Sequence, residues 1–256
     1  MIFDTHAHYD DAAFEEDRDN LLASMRDNGI KNIVNVGADM QSSANSVMLA
    51  QKYDFMYAAV GVHPSDTKGL TEQDMETIAG YTKKDKVVAI GEIGLDYHYE
   101  EPDRETQKKW FIRQLDLASE LQLPIIIHSR DAAEDTFRIL KSYEGEIKGG
   151  VIHCYSYSPE LARKFIKLGF YIGIGGVVTF KNSKKLKETV IECPLRTLVL
   201  ETDCPYLAPE PDRGKRNDSL KLPYVVSEIA RLKEISDAEV IETTYRNGLA
   251  LYGLEN

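Results

Sequence analysis

The sequence predicts an α/β protein, a somewhat distorted (β/α)8 TIM barrel with an extra C-terminal helix. Three observations predict it. Short β-branched apolar runs alternate with longer amphipathic stretches along the whole chain, the signature of a parallel sheet. Eight such runs can be counted, the number that closes a barrel. The chain has 256 residues, with no linker, low-complexity tract or internal repeat, which fits one domain over 1–256. A doubly wound open sheet would carry a glycine-rich phosphate fingerprint after its first strand, and none stands there.

The strands are expected at Ile2–Thr5, Asn32–Val36, Phe55–Val60, Val87–Gly91, Pro124–His128, Gly150–His153, Phe170–Ile174 and Thr197–Glu201. Val87-Val88-Ala89-Ile90 and Ile125-Ile126-Ile127 are apolar at every position, as in parallel strands buried on both faces. Helical periodicity covers about 16–28, 42–52, 72–82, 105–121, 132–143, 159–168 and 184–191, with two more helices at about 222–233 and 237–252. Ser158-Pro159 supplies a cap and an N1 proline. Ser236 with Glu239 reads as a capping box for the last helix.

Composition narrows the class. With 31 basic against 42 acidic side chains the net charge is −11. That argues against loose, sequence-independent binding to nucleic acid, which is driven by phosphate neutralisation. No apolar run approaches the ~20 residues of a membrane span, and no secretory leader is expected. Cys154, Cys193 and Cys204 form no CxxC pair. Their number suits a reducing compartment, so a cytoplasmic protein without disulfides is expected.

The chemistry lies in where the histidines fall. There are six. His6 and His8 close the first strand at spacing i, i+2, which aims both side chains to one face. His63 follows the third strand, and His128 and His153 end the fifth and sixth. Only His98 lies clearly beyond a strand. Glu92 ends the fourth strand and Asp203 follows the eighth. One histidine closing an apolar run is more often core filling than ligand. Five of six at one kind of position are hard to explain that way. In a parallel barrel all carboxyl strand ends share one face, so His6, His8, Glu92, His128, His153 and Asp203 should converge. Four imidazoles and two carboxylates exceed the three protein ligands of a typical catalytic zinc. They suit two divalent ions about 3.5–4 Å apart sharing a carboxylate. Zn, Mn, Ni, Co, Fe or Mg would accept such a mixed set.

Arg130 and the cluster Arg213-Gly214-Lys215-Arg216-Asn217 are candidate phosphate contacts, against the alternative of a solvated loop. Glu201 is weighed as a group that tunes the site from behind its ligands, against core packing, and the structural role is preferred; Cys154 and Cys204 read as small buried apolar residues. His98, Tyr155, Tyr157 and Tyr206 are weighed as pocket lining, and Trp110 as core.

Seven segments carry a family resemblance. They are Asp4-Thr5-His6-Ala7-His8, Gly61-Val62-His63-Pro64, Gly91-Glu92-Ile93-Gly94-Leu95-Asp96-Tyr97, His128-Ser129-Arg130-Asp131-Ala132, His153-Cys154-Tyr155-Ser156, Glu201-Thr202-Asp203-Cys204-Pro205-Tyr206-Leu207 and the basic cluster. In order and spacing the chain resembles the TatD family of metal-dependent deoxyribonucleases, relatives of the amidohydrolases. The resemblance implies one metal on His6, His8 and a bridging Glu92, and a second on Glu92, His128 and His153. It implies that Asp203 ligates a metal or serves as general base, and that His63 lies near the substrate phosphate. Catalytic roles thus fall to Asp203, Glu92 and His63. The implied activity is phosphodiester hydrolysis of DNA, often 3′→5′ on single strands. No membrane partner is expected, and a monomer would suffice. Cys204, Tyr157 and Asp218-Ser219 depart from the family pattern and bear on pocket shape. A small-molecule amidohydrolase or ester hydrolase using the same metals is the competing reading.

Overall fold

The computed structural model describes residues 1–255. Eight strands form one sheet in sequence order: β1 (Ile2–Ala7), β2 (Ile30–Val36), β3 (Met56–Val60), β4 (Val87–Asp96), β5 (Ile125–Arg130), β6 (Gly150–Ile152), β7 (Phe170–Ile174) and β8 (Leu198–Leu200). Every adjacent pair from β1 to β8 is parallel. Helices α1 (Arg18–Ala23), α2 (Met40–Lys52), α3 (Glu72–Tyr81), α4 (Arg104–Leu121), α5 (Ala133–Ser142), α6 (Pro159–Lys167) and α7 (Lys184–Glu192) each follow a strand. Two more, α8 (Leu222–Lys233) and α9 (Asp237–Tyr252), follow β8.

The seam between β8 and β1 is where the barrel is distorted. Its ladder is reduced to one parallel bridge between Ala7 and Cys204. Side chains complete the closure. Thr5 Oγ1 donates to the Leu200 carbonyl at 2.9 Å. The buried Asp4 carboxylate accepts from Thr202 N–H and Oγ1 at 3.0 and 2.7 Å and from Ser219 Oγ at 2.6 Å. At the end where the strands begin, α9 fills the interior. Its Tyr245, Leu249 and Tyr252 pack with Phe3, Val88, Ile126, Val151 and Val199. Tyr252 Oη donates to the Thr5 carbonyl at 2.7 Å. A plug at that end leaves the carboxyl strand ends as the open face.

The largest departures from expectation lie in the first helix and the fourth strand. The first helix stops at Ala23, where Ser24 Oγ bonds back to the Leu21 carbonyl at 2.7 Å, and the chain continues as a 3-10 turn to Gly29. A local hydroxyl competing with the helix ladder accounts for this. The fourth strand continues to Asp96. Past an irregularity its ladder to β5 resumes, with Gly94 opposite His128 and Asp96 opposite Arg130. Gly94 permits that approach: at φ 146° an added Cβ would sit 1.9 Å from the His128 carbonyl oxygen. Trp110 and Cys204 are buried as expected, and Cys193 is buried too.

Gly94→Ala should lower stability by about 2–4 kcal/mol, from strained backbone plus overpacking. A denaturant midpoint close to that of the unmodified protein would refute the close-approach account.

Candidate metal centre

The strand ends bring His6, His8, Glu92, His128, His153 and Asp203 together, with His63 beside them. Glu92 sits in the middle, 4% exposed. Its Oε2 lies 3.4 Å from His6 Nε2 and 3.8 Å from His8 Nε2. Its Oε1 lies 2.9 Å from His128 Nδ1 and 3.9 Å from both His153 Nε2 and His63 Nε2. One carboxylate therefore turns each oxygen to a different set of imidazoles. Asp203 Oδ1 spans the two sets, 3.3 Å from His8 Nε2 and 3.6 Å from His153 Nε2. It is reached by a left-handed turn at Asp203 (φ 57°), a conformation that non-glycine residues adopt where a site requires it.

These donors fit a divalent ion. Two ligand atoms on one tetrahedral ion lie roughly 3.3–3.5 Å apart. The pairs His6–Glu92 at 3.4 Å and His8–Asp203 at 3.3 Å match that edge. The His6, His8 and Asp203 donors form one cluster of ligand-type atoms, and those of Glu92 and His128 form another, with the His63 ring beside it.

Acceptors behind the rings decide which nitrogen faces inward. His8 Nδ1 donates to the Val36 carbonyl at 2.8 Å, which leaves the Nε2 lone pair for the centre. Asp96 Oδ2 stands 3.1 Å from His128 Nε2, so Nδ1 is the inward atom. Glu201 Oε2 stands 3.1 Å from His153 Nδ1, so Nε2 is inward. Glu201 Oε1 accepts the Cys154 N–H at 2.6 Å. Sequence reasoning left Asp96 unassigned and read Glu201 as structural; acids at i+4 from Glu92 and i−2 from Asp203 were the available signal. His63 is built the other way. Its Nδ1 accepts the Ser65 N–H at 3.2 Å, so a neutral ring turns an N–H, not a lone pair, toward Glu92.

Charge follows from this packing. Burial pulls the His8 pKa down, but the hydrogen bond and charge of Asp203 and the charge of Glu92 outweigh it and lift it to about 9. Burial is likewise overcome at His128, about 9, by Asp96 and Glu92, and at His153, about 10, by Glu201 and Asp203. Burial prevails at His63 and lowers it to about 4, which keeps that ring neutral near pH 7. Glu92 and Asp203 are held below the usual carboxylate range despite burial, first by His153.

The centre opens into a cleft of about 700 Å³. Arg130 lines it. The other three basic candidates do not. Lys215 pairs with Asp212 at 2.7 Å. Arg216 pairs with Asp17 at 2.6 Å and its guanidinium lies over Phe14, 4.8 Å from the ring centre. Arg213 stacks on Phe180 at 4.2 Å. His98 also lies off the cleft wall, exposed, 3.2 Å from Asp131. Cys154 lines the cleft, half-buried, which corrects its reading as core.

Metal binding should be strongly pH-dependent. In the metal-free protein His8, His128 and His153 hold protons up to pH about 9, 9 and 10, and an imidazole must be neutral to ligate. Raised histidine pKa values stabilise the metal-free fold below pH about 6.5, and that contribution is lost as pH rises through 9–10. Divalent metal should therefore bind more tightly as pH rises from 6 to 9, with proton release. Calorimetry in buffers of differing ionisation enthalpy measures that release, and a proton-neutral reaction would contradict it.

The family model described as TatD related DNase matches residues 3–253. An uncharacterized metal-dependent hydrolase of Bacillus subtilis, YabD, is 44% identical over 252 residues, covering 98% of this chain and 99% of that protein. The protein named 3′-5′ ssDNA/RNA exonuclease TatD in Escherichia coli is 31% identical over 258 residues, covering 99% of each. The crystal structure of YJJV, a TatD homolog from Escherichia coli, superposes with a TM-score of 0.93 at 30% identity, covering 99% of this chain and 98% of that one. With a barrel whose strand ends converge on histidines and carboxylates, and these matches over nearly its whole length, the chain belongs to the TatD family of metal-dependent hydrolases.

Proposed function

We propose that this protein is a divalent-metal-dependent phosphodiesterase that removes nucleotides from the 3′ end of single-stranded DNA, and that Glu92 would hold two ions, one on each side of its carboxylate. The observation that carries the reading is the placement of Glu92: each oxygen faces its own imidazole set, His6 and His8 on one side, His128 and His153 on the other. When bound, two such ions supply Lewis acidity, lower the pKa of water and offset charge on a phosphoryl group.

The side chains divide the remaining work. Glu92 is buried, whereas the Asp203 side chain is 19% exposed and ionised. Asp203 is thus the carboxylate that water can reach, and we assign it the general-base role, accepting the proton of the attacking water. His63, neutral and turning Nε2–H inward, is a hydrogen-bond donor to a phosphoryl oxygen. Arg130 supplies the cleft's guanidinium. Relatives named as exonucleases support the substrate.

A second reading has one observation in its favour. Five acids, Asp10, Asp11, Asp39, Glu92 and Asp203, line the cleft against the single Arg130. Protonated His8, His128 and His153 offset part of that charge in the ion-free protein, so the wall gives a polyanion little net attraction, and a small ester or amide would enter it as readily.

EDTA should abolish hydrolysis of single-stranded DNA, and added Mg or Mn should restore it; activity that persists in chelator would sink the two-metal reading. Asp203→Asn should fold and lose about 10²–10⁴ in kcat, the usual contribution of a positioned base. His63→Ala should retain full metal content yet lose turnover. Loss of a metal equivalent in that variant would make His63 a ligand instead. An activity screen over DNA, RNA, phosphoesters and amides separates the two substrate readings.

A further inference from the structure

The cleft wall carries an apolar surface that metal binding and phosphate chemistry leave unused. Among the described residues, Tyr206 and Leu207 are the large apolar side chains that both line the cleft and remain exposed, at 55% and 39%. Scattered exposed apolar residues need no explanation, but a contiguous pair inside a polar site marks a contact surface.

The pair is rigidly presented. Tyr206 N–H donates to the Asp203 carbonyl at 2.9 Å, which ties the platform to the candidate base by one turn. At the other end Tyr206 Oη donates to Asp11 Oδ2 at 3.0 Å. Asp11 is itself fixed, its Oδ1 accepting the Ala13 N–H at 2.7 Å. A ring anchored at backbone and hydroxyl cannot swing away to bury its face. Leu207 sits in the left-handed region at φ 53°. Its carbonyl lies against Gly176, where a Cβ would approach to 2.2 Å. The segment is thus seated flush on the loop after β7.

Electrostatics says what such a surface is for. The wall's carboxylates outnumber Arg130, so this chain's own charges give a nucleotide little attraction. Bound cations answer the phosphate, and the rest of the nucleotide must be held by an uncharged contact. A nucleobase has a π-face whatever its sequence, and stacking on an aromatic ring is the contact that reads it. We propose that Tyr206, flanked by Leu207, is the platform on which the unpaired terminal base of the substrate strand stacks, and that this contact selects single-stranded ends. The inference rests on the phosphodiesterase reading above. A base within a duplex is covered on its faces and cannot enter the cleft alone, whereas a frayed or single-stranded terminal base can.

The test compares the unmodified protein, Tyr206→Ala and Tyr206→Phe with Mg or Mn. Two substrates are used: a dT oligonucleotide and the same strand with an abasic 3′ residue. Tyr206→Ala should raise KM for the dT strand about 5- to 150-fold, the range expected from losing one base stack. Its kcat should change little. Tyr206→Phe, which keeps the ring and loses the bond to Asp11, should restore most of the affinity. The unmodified protein should disfavour the abasic strand by a similar factor, and Tyr206→Ala should not distinguish the two strands. Anisotropy of a labelled oligonucleotide with a cleavage-resistant 3′-phosphorothioate end should show the same loss in binding. An unchanged KM for the dT strand, or an equal loss on the abasic strand, overturns the platform and makes Tyr206 structural. If the unmodified protein cleaves no phosphodiester, the phosphodiesterase reading fails, and equal oligonucleotide binding by Tyr206→Ala then overturns the platform as well.

Discussion

A buried negative charge at the mouth of the barrel organises this molecule. The Glu92 carboxylate is almost wholly withdrawn from water, a placement that costs several kcal/mol unless opposite charge or hydrogen bonds compensate. Compensation comes from imidazoles on four different strands or strand-following loops. Each of those side chains is held in the interior by the same charge. Charge compensation is mutual: His8, His128 and His153 retain protons because carboxylates face them, and Glu92 stays ionised because they do. A divalent ion would replace those protons with a stronger and better directed charge.

Holding that arrangement imposes demands well outside the cluster. The fourth strand has to run past Glu92 to Asp96 so that Asp96 can stand behind His128, and Gly94 is what lets the two backbones come close enough. Glu201 needs room behind His153, and Gly173 leaves it: a Cβ there would meet the Glu201 carboxylate at 2.3 Å. The seam between β8 and β1 is short in backbone bonds, so Asp4, Thr5, Thr202 and Ser219 close it with side chains. Asp203, between Thr202 and Cys204 of that seam, is aimed by it. Packing glycine, seam and outer acceptors are therefore as much a part of the site as the inward donors.

The division of labour between the histidines is equally a matter of what stands behind each ring. His8, His128 and His153 have an acceptor there and, once deprotonated, present a lone pair inward; His63 has a donor there and turns an N–H inward. With His6, the same residue type thus provides ligand-type atoms at four positions and a hydrogen-bond donor at a fifth, within one cluster about a single carboxylate. Electrostatics at the cleft is nearly balanced without ions: five carboxylates face Arg130 and the protonated His8, His128 and His153, so a polyanion that enters depends on bound cations for net attraction.

Much of the fold was legible in the residues alone. Parallel strands buried on both faces leave near-continuous apolar runs, and such runs locate themselves. The polar residue that ends each run is then placed by topology at one face, which is why His6, His8, Glu92, His128, His153 and Asp203 could be grouped. The roles of Asp96 and Glu201, the tautomer of His63 and the extension of β4 were not legible, because each depends on which atom lies behind which across the sheet. The basic loop shows the same limit. Arg213, Lys215 and Arg216 look like a free phosphate clamp in sequence, but Arg216 meets Asp17 from the far end of the chain and Arg213 lies on Phe180. What this sequence determined by itself was periodicity and the chemical type at each strand end, since those are local. What only the tertiary structure decided was partnership, because the partner of a charge or a ring nitrogen is set by distance in space and not by position in the chain.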